Sequence, residues 1–292
     1  MTASLKSRIP PHSTEQSTQY TLHRGARLAY RVQGRGPALL MIAGAGGNGN
    51  RHDALAQRLS PYFTVISYDR RCQSGSSGDM TLPFDLEVQA EDAIAILAAA
   101  QVKQAYVFAN SGGAVIALRL IERYPTHVLG LLAHEPPAAA VLPDAQRWIQ
   151  LSDEVQQRYL DEGLADAMTL FKSHMVGMPA RARASGQNQG EGQGESTVGN
   201  SDSQVNLAYF LTQEITHICR YRPDVSALRR SRVPMVFMAG HASGDAYYAR
   251  PARYLAKALD CPFEVVEGHH ISFITDPDVF ADALLKIFQK YF

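Results

Sequence analysis

The stretch of this chain best equipped for chemistry is Tyr106-Val107-Phe108-Ala109-Asn110-Ser111-Gly112-Gly113, followed by Ala114-Val115-Ile116-Ala117-Leu118. An apolar run of strand character ends in a small-x-Ser-x-Gly turn, and a run of helical character begins at once, the pattern of a nucleophile elbow. A serine on so sharp a bend is held in a strained conformation, so its flanking positions carry almost no side chain. Ala109 and Gly113 meet that need. Ser111 then stands at a helix N-terminus, where free N–H groups and the helix dipole favour developing negative charge. A serine there can also be an ordinary helix cap; the strand before it and the helix after it favour the nucleophile.

Two other segments offer complementary groups. Ala43-Gly44-Ala45-Gly46-Gly47-Asn48-Gly49 is rich in glycine, which lets backbone amides approach a ligand closely. The Lys-Ser/Thr pair that completes a phosphate-binding loop is absent after it, which argues against nucleotide binding. Glu267-Gly268-His269-His270 brings imidazoles that can take and return a proton near neutral pH.

The elements that position these groups read as strands alternating with helices. Residues 20–23 and 27–32 flank a turn at Gly25 and predict a hairpin. Residues 38–42, 64–68, 105–109, 128–133, 235–239 and 263–266 are short continuous apolar runs, as expected of strands covered on both faces. Leu86, Ala90, Ala93 and Leu97 share a helical face, as do Phe280, Leu284, Ile287 and Tyr291. The pattern predicts an α/β fold with a doubly wound, mostly parallel sheet.

From about Pro137 to Asp224 the rhythm changes. Trp148, Leu151, Val155 and Tyr159 form one helical stripe and Leu207, Phe210, Leu211, Ile215 and Ile218 another, with no strand-like run between. This predicts an inserted helical cap over 138–224 on a core of 20–137 and 225–292. Ser185 to Gln204 holds five glycines and one apolar residue, Val198, and reads as a mobile surface loop. Residues 1–19 read as a flexible arm without the apolar stretch of a secretory signal, so the expected compartment is the cytoplasm.

The 28 basic and 28 acidic residues cancel, and no basic stripe is present to neutralise a phosphate backbone, so nucleic acid is not an expected partner. No apolar run is long enough to span a bilayer. Cys72, Cys219 and Cys261 are widely separated and lack metal-ligand spacing, so they read as reduced thiols, and no metal or cofactor is expected.

On the elbow and the strand-helix alternation, the chain from Tyr20 to Phe292 resembles the α/β-hydrolase family. The resemblance implies a Ser-His-acid triad with Ser111 as nucleophile. The family's Gly-x-His loop matches His270 as base, with His269 one residue away as the alternative. Its two oxyanion-hole donors match the N–H groups of Ala45 and Gly112. The chain departs from the family pattern in three places: Ala109 replaces the first glycine of the elbow, Ala43-Gly44 replaces the usual His-Gly pair, and Ser243 occupies the usual acid slot after Gly240. Asp245 follows two residues late. A carboxylate at the end of the sixth strand, as in some haloalkane dehalogenases, matches Glu135, which is the favoured acid, with Asp245 as the alternative.

These expectations amount to a cofactor-independent serine hydrolase acting on a small, partly apolar ester, lactone or thioester. The rival readings are a non-hydrolytic enzyme on the same scaffold, such as a lyase, cyclase or perhydrolase, and a ligand-binding receptor with a vestigial triad. Oligomeric state is not legible in the sequence.

Overall fold

The computed structural model describes residues 17–177 and 198–292. Eight strands form one sheet in the order β1-β2-β4-β3-β5-β6-β7-β8. They are β1 (Gln19–His23), β2 (Ala26–Gly34), β3 (Ala38–Ile42), β4 (Thr64–Tyr68), β5 (Ala105–Asn110), β6 (Val128–His134), β7 (Met235–Gly240) and β8 (Phe263–Val266). The predicted hairpin pairs β1 with β2 antiparallel, β2 meets β4 antiparallel, and every remaining pairing is parallel.

The continuous apolar runs follow from burial on both faces. Leu40, Ile42, Val107, Ala109, Leu131 and Ala133 belong to one core. Their neighbours Leu39, Met41, Phe108, Leu132, Val236 and Met238 belong to a second core. Successive side chains of a strand point to opposite faces, so both parities must be apolar when helices cover both sides. The helices are α1 (Asp53–Leu59), α2 (Leu86–Ala99), α3 (Gly112–Arg123), α4 (Ala145–Glu162), α5 (Leu164–Ser173), α6 (Val198–Tyr209), α7 (Ile215–Arg220), α8 (Val225–Ser231), α9 (Arg250–Leu259), α10 (Ser272–Thr275) and α11 (Pro277–Tyr291).

Between β6 and β7 the described elements are helical, from α4 through α7 to α8. Phe210–Glu214, between α6 and α7, is a turn of π-helix, a feature the smooth 3.6-residue stripe of the sequence did not signal. The loop expected over 185–204 is corrected at its end, because Val198–Tyr209 is helical. Asn206 explains part of that: its side chain binds the Ser74 N–H at 2.9 Å and the Ser74 hydroxyl at 2.7 Å, anchoring a sequence of poor intrinsic helix propensity. Residues 185–197 lie outside the described residues, as do residues 1–16 of the expected arm; Gln19, assigned to that arm, opens β1.

Parallel strands bring their C-terminal ends to one edge, where ligands bind in open α/β sheets. Asn110 and His134 are register partners on β5 and β6. Ser111 and Glu135, the next residue of each strand, therefore emerge side by side.

Candidate active site

Ser111 joins β5 to α3 with φ 53° and ψ −131°. A positive φ in a residue with a Cβ stores on the order of 1–3 kcal/mol and persists only where the surroundings impose it. Several contacts impose it. The Ser111 N–H donates to His134 O at 2.8 Å, extending the sheet by one bond. A Cβ on Gly113 would lie 2.2 Å from Ile42 O, and one on Gly44 would lie 2.8 Å from the Ser111 Cβ, so neighbouring backbone closes on the bend from two sides. The Ser111 side chain makes no capping bond to α3. Ser111 lines a cavity together with His270.

Glu135 also has a positive φ, 49°. It is fully buried, and its two oxygens are both engaged: His270 Nδ1 donates to Oε2 at 2.6 Å, and the Gly240 N–H donates to Oε1 at 2.7 Å. Burial pushes this carboxyl up, but neighbouring His134, the bond from His270 and the nearby Ser243 hydroxyl outweigh it and hold the group well below its usual value. Ser243 Oγ is close to the carboxylate without hydrogen-bond alignment. Burial pushes His134 itself down to about 4, so at neutral pH it carries no charge. In that range the ionised Glu135 rests on His270 and the Gly240 amide. An ionised carboxylate only accepts, so the shared proton resides on His270 Nδ1, and Nε2 of the neutral ring is the free acceptor.

The alternatives lie elsewhere. Asp245 is exposed and faces a separate surface groove with Arg253 and Lys257. His269 is turned into its own loop, where Ile271 N–H meets Nδ1 at 3.4 Å and Thr275 Oγ1 lies 3.4 Å from Nε2. The structure thus brings Ser111 and His270 to one cavity and bonds Glu135 to His270. It leaves Asp245 outside.

Ala45 and Gly112 line the same cavity. Gly112 is the first residue of α3, where a helix has no internal acceptor for the N–H. The Gly44–Ala45 peptide is oriented from its carbonyl side: Gly44 O accepts from Gly47 N at 3.0 Å and from Arg70 Nη2 at 2.8 Å. The carbonyl of this peptide is thus held by an arginine from the loop after β4. Arg70 is fully buried and forks onto Glu214 of the π turn at 2.9 and 2.8 Å, so one guanidinium ties the helical insertion to the glycine-rich loop after β3. Asp69 of the same loop binds the Gly49 N–H at 2.8 Å and the Gly75 N–H at 3.1 Å, fixing the turn.

The cavity has a volume of about 140 Å³, comparable with the roughly 150 Å³ of an apolar cavity that holds benzene. Met168, Phe171, Leu207, Phe210, Ile215 and Ile218 supply its roof from the cap helices. Tyr248 packs against His270 with ring centres 4.5 Å apart. Trp148 stacks on Tyr247 at 4.7 Å and is absent from the cavity lining. His52 lies beneath the floor, with Nε2 on Asn110 Oδ1 at 2.9 Å. Sequence reasoning did not find Arg51, Lys172 or Asn110, which line the cavity, nor the Arg70–Glu214 pair, whose members stand 144 positions apart.

Among the described residues no group of three or more His, Cys, Asp or Glu is arranged to hold a metal ion, and no helix is long and apolar enough to cross a membrane. Burial pushes the Cys72 thiol up, which works against thiolate chemistry there.

The chain is 29% identical over 271 residues to the uncharacterized hydrolase YraK of Bacillus subtilis (strain 168), covering 91% of this chain and 94% of that one. It superposes on an alpha/beta hydrolase from Sphaerobacter thermophilus with TM-score 0.67 at 25% identity, covering 92% of this chain and all (100%) of the other. It also shares its fold with the enol-lactonase from Burkholderia xenovorans LB400, with TM-score 0.69 at 17% identity over 93% of this chain and 100% of that one. The model of the alpha/beta hydrolase family matches residues 39–283, from the third strand into the last helix. With that match spanning most of its length, the chain belongs to the alpha/beta hydrolase family.

Proposed function

We propose that this alpha/beta hydrolase is a cofactor-independent serine hydrolase that cleaves a small, partly apolar ester, lactone or thioester through an acyl-enzyme. The observation that carries the reading is the single cavity lined by Ser111 and His270, with His270 Nδ1 donating to the buried Glu135. Core segments 20–137 and 225–292 supply the reacting groups, and the cap, 138–224, encloses the substrate.

Ser111 Oγ attacks the carbonyl carbon while its proton passes to His270 Nε2. Glu135 holds the imidazole in the required tautomer and stabilises the imidazolium. The carbonyl oxygen, now an oxyanion, accepts from the N–H groups of Ala45 and Gly112. Collapse expels the alcohol or thiol, which takes the proton from Nε2. Water then repeats the sequence on the acyl-serine, giving up its proton to His270, and releases the carboxylate.

The test uses p-nitrophenyl butyrate with acid quenching and intact-mass measurement. Wild-type protein should gain the mass of one butyryl group during turnover, and Ser111→Ala should lose both the adduct and the turnover. Turnover that survives in Ser111→Ala would overturn the proposal.

A further inference from the structure

The described lining of the Ser111 cavity includes two cations, Arg51 and Lys172, and no aspartate or glutamate. Both side chains are part-buried, and other arginines withdrawn from water in this chain are treated differently. Arg31 lies 3.1 Å from Asp69, Arg70 lies 2.8 Å from Glu214, and Arg71 lies 2.5 Å from Asp92. Withdrawing a charge from water is costly unless an opposite charge compensates, and each of those three has one.

Arg51 has no ion-pair partner among the described residues; its side chain donates from Nη1 to Ala45 O at 3.0 Å. Burial lowers its pKa with no carboxylate acting in the opposite sense. A guanidinium nonetheless stays protonated at any working pH. Lys172, near the end of α5, is likewise pushed down by burial alone. The lining around them is dominated by apolar side chains from the cap. In such surroundings an ion pair is stronger than in water, and an unpaired cation is correspondingly unfavourable.

We infer that the cavity takes a substrate bearing a compact oxyanionic group, a carboxylate or a phosphonate-like phosphoryl group, close to its scissile carbonyl, with Arg51 as the specificity-determining residue and Lys172 as its counterpart on the cap. The site is near the reacting carbonyl because Arg51 is anchored to Ala45, the residue of the proposed oxyanion donor. A guanidinium carries five N–H donors in a planar fork. The bond to Ala45 fixes the fork while leaving other donors for an anion, which gives short, charge-assisted bonds. The inference rests on the serine-hydrolase reading for the bond that is cleaved, but the anion subsite is a matter of binding.

The experiment separates the two. In Ser111→Ala protein, calorimetry compares monomethyl glutarate, which carries one carboxylate, with neutral dimethyl glutarate, and with methyl 4-phosphonobutanoate as the phosphoryl arm. The anionic ligands should bind at least tenfold tighter than the diester, and the tighter of the two identifies the anion. Adding Arg51→Met should abolish that advantage, and Lys172→Met should reduce it severalfold. Equal affinity for half-ester, phosphonate and diester in Ser111→Ala would overturn the inference, as would an advantage that persists in Arg51→Met. Should Arg51→Met fail to fold, the anion-against-diester comparison and Lys172→Met decide. Charge-dependent binding in a protein whose wild type never forms an acyl adduct would support the subsite while counting against the hydrolytic reading.

Discussion

On the sheet side of the cavity Ser111, Glu135 and the Gly44 carbonyl are each fixed by hydrogen bonds to neighbouring strand ends or loops. On the cap side Met168, Phe171, Phe210 and Ile215 present apolar surface from helices. The floor spends backbone strain at Ser111 and Glu135 to aim particular atoms. The roof contributes apolar surface and sets shape, which tolerates exchange of one apolar side chain for another. The difference teaches where strain is concentrated and where shape is set: the strained residues Ser111 and Glu135 sit at the sheet edge, and most of the apolar lining comes from the insertion. Arg70 and Glu214 join the two, and Arg51 with Lys172 places one cation on each side.

The sharpest break of this comparison falls on the floor. Ser111→Ala should lower kcat by about 10⁴-fold or more while the urea midpoint changes little, because the serine side chain caps nothing. Next comes the acid. Glu135→Gln should cost about 10³- to 10⁴-fold in kcat, since an amide stabilises neither the tautomer nor the imidazolium. Asp245→Asn should stay within twofold of wild type in the same esterase assay; the opposite ranking would remove Glu135 from its role.

The link between floor and roof yields a two-part effect. Arg70→Met strands the buried Glu214 carboxylate and should lower unfolding free energy by about 3–5 kcal/mol. Arg70→Met with Glu214→Leu should regain most of that stability, yet kcat should remain roughly tenfold down or more because Gly44 O has lost its partner. Full recovery of kcat in the double variant would show that the pair is structural only.

The smallest effect is one of pH. Burial pushes His52 and His134 down to about 4, from an ordinary histidine value of 6.5. The unfolded chain then binds more protons than the folded one between those values, so stability is full above the ordinary value and falls as pH drops through 6.5 towards 4. The loss approaches about 3 kcal/mol per histidine. Asp53, raised by burial to about 6, acts in the opposite sense and trims the net slope. Neither ring nitrogen of His134 has a hydrogen-bond partner. His134→Leu should therefore be nearly neutral at pH 7 and should flatten the fall in urea midpoint between pH 6.5 and pH 5; an unchanged slope would refute a neutral, buried His134.

Much of the floor was legible before any coordinates. The run at 38–42 coincides with β3 because burial on both faces leaves no polar position to blur its ends; the runs at 64–68 and 263–266 coincide with β4 and β8 although Ser67 and Glu264 interrupt them and Val265 on the edge strand β8 is exposed. Ser111 stood out because a strained bend demands small neighbours. Glu135 was visible only through a likeness, since a carboxylate after a strand has no local signature. The roof was less readable. One π turn at Phe210–Glu214 shifts the helix face without altering composition. Val198–Gln204 reads as loop because Gly, Asn, Ser and Asp disfavour helix, and a distant contact to Ser74 overrides that preference. Arg51 and Lys172 look like any surface charges until the fold sets both in the lining of one cavity.

The proposed chemistry stands on Ser111 being the activated nucleophile of this cavity. Its most direct test is labelling with a fluorophosphonate probe followed by peptide mapping at neutral pH. A single adduct on Ser111, formed by wild type and slowed at least a hundredfold in His270→Ala, is the predicted result. Ester turnover with Ser111 unmodified, or labelling at Ser111 that is indifferent to loss of His270, would contradict it.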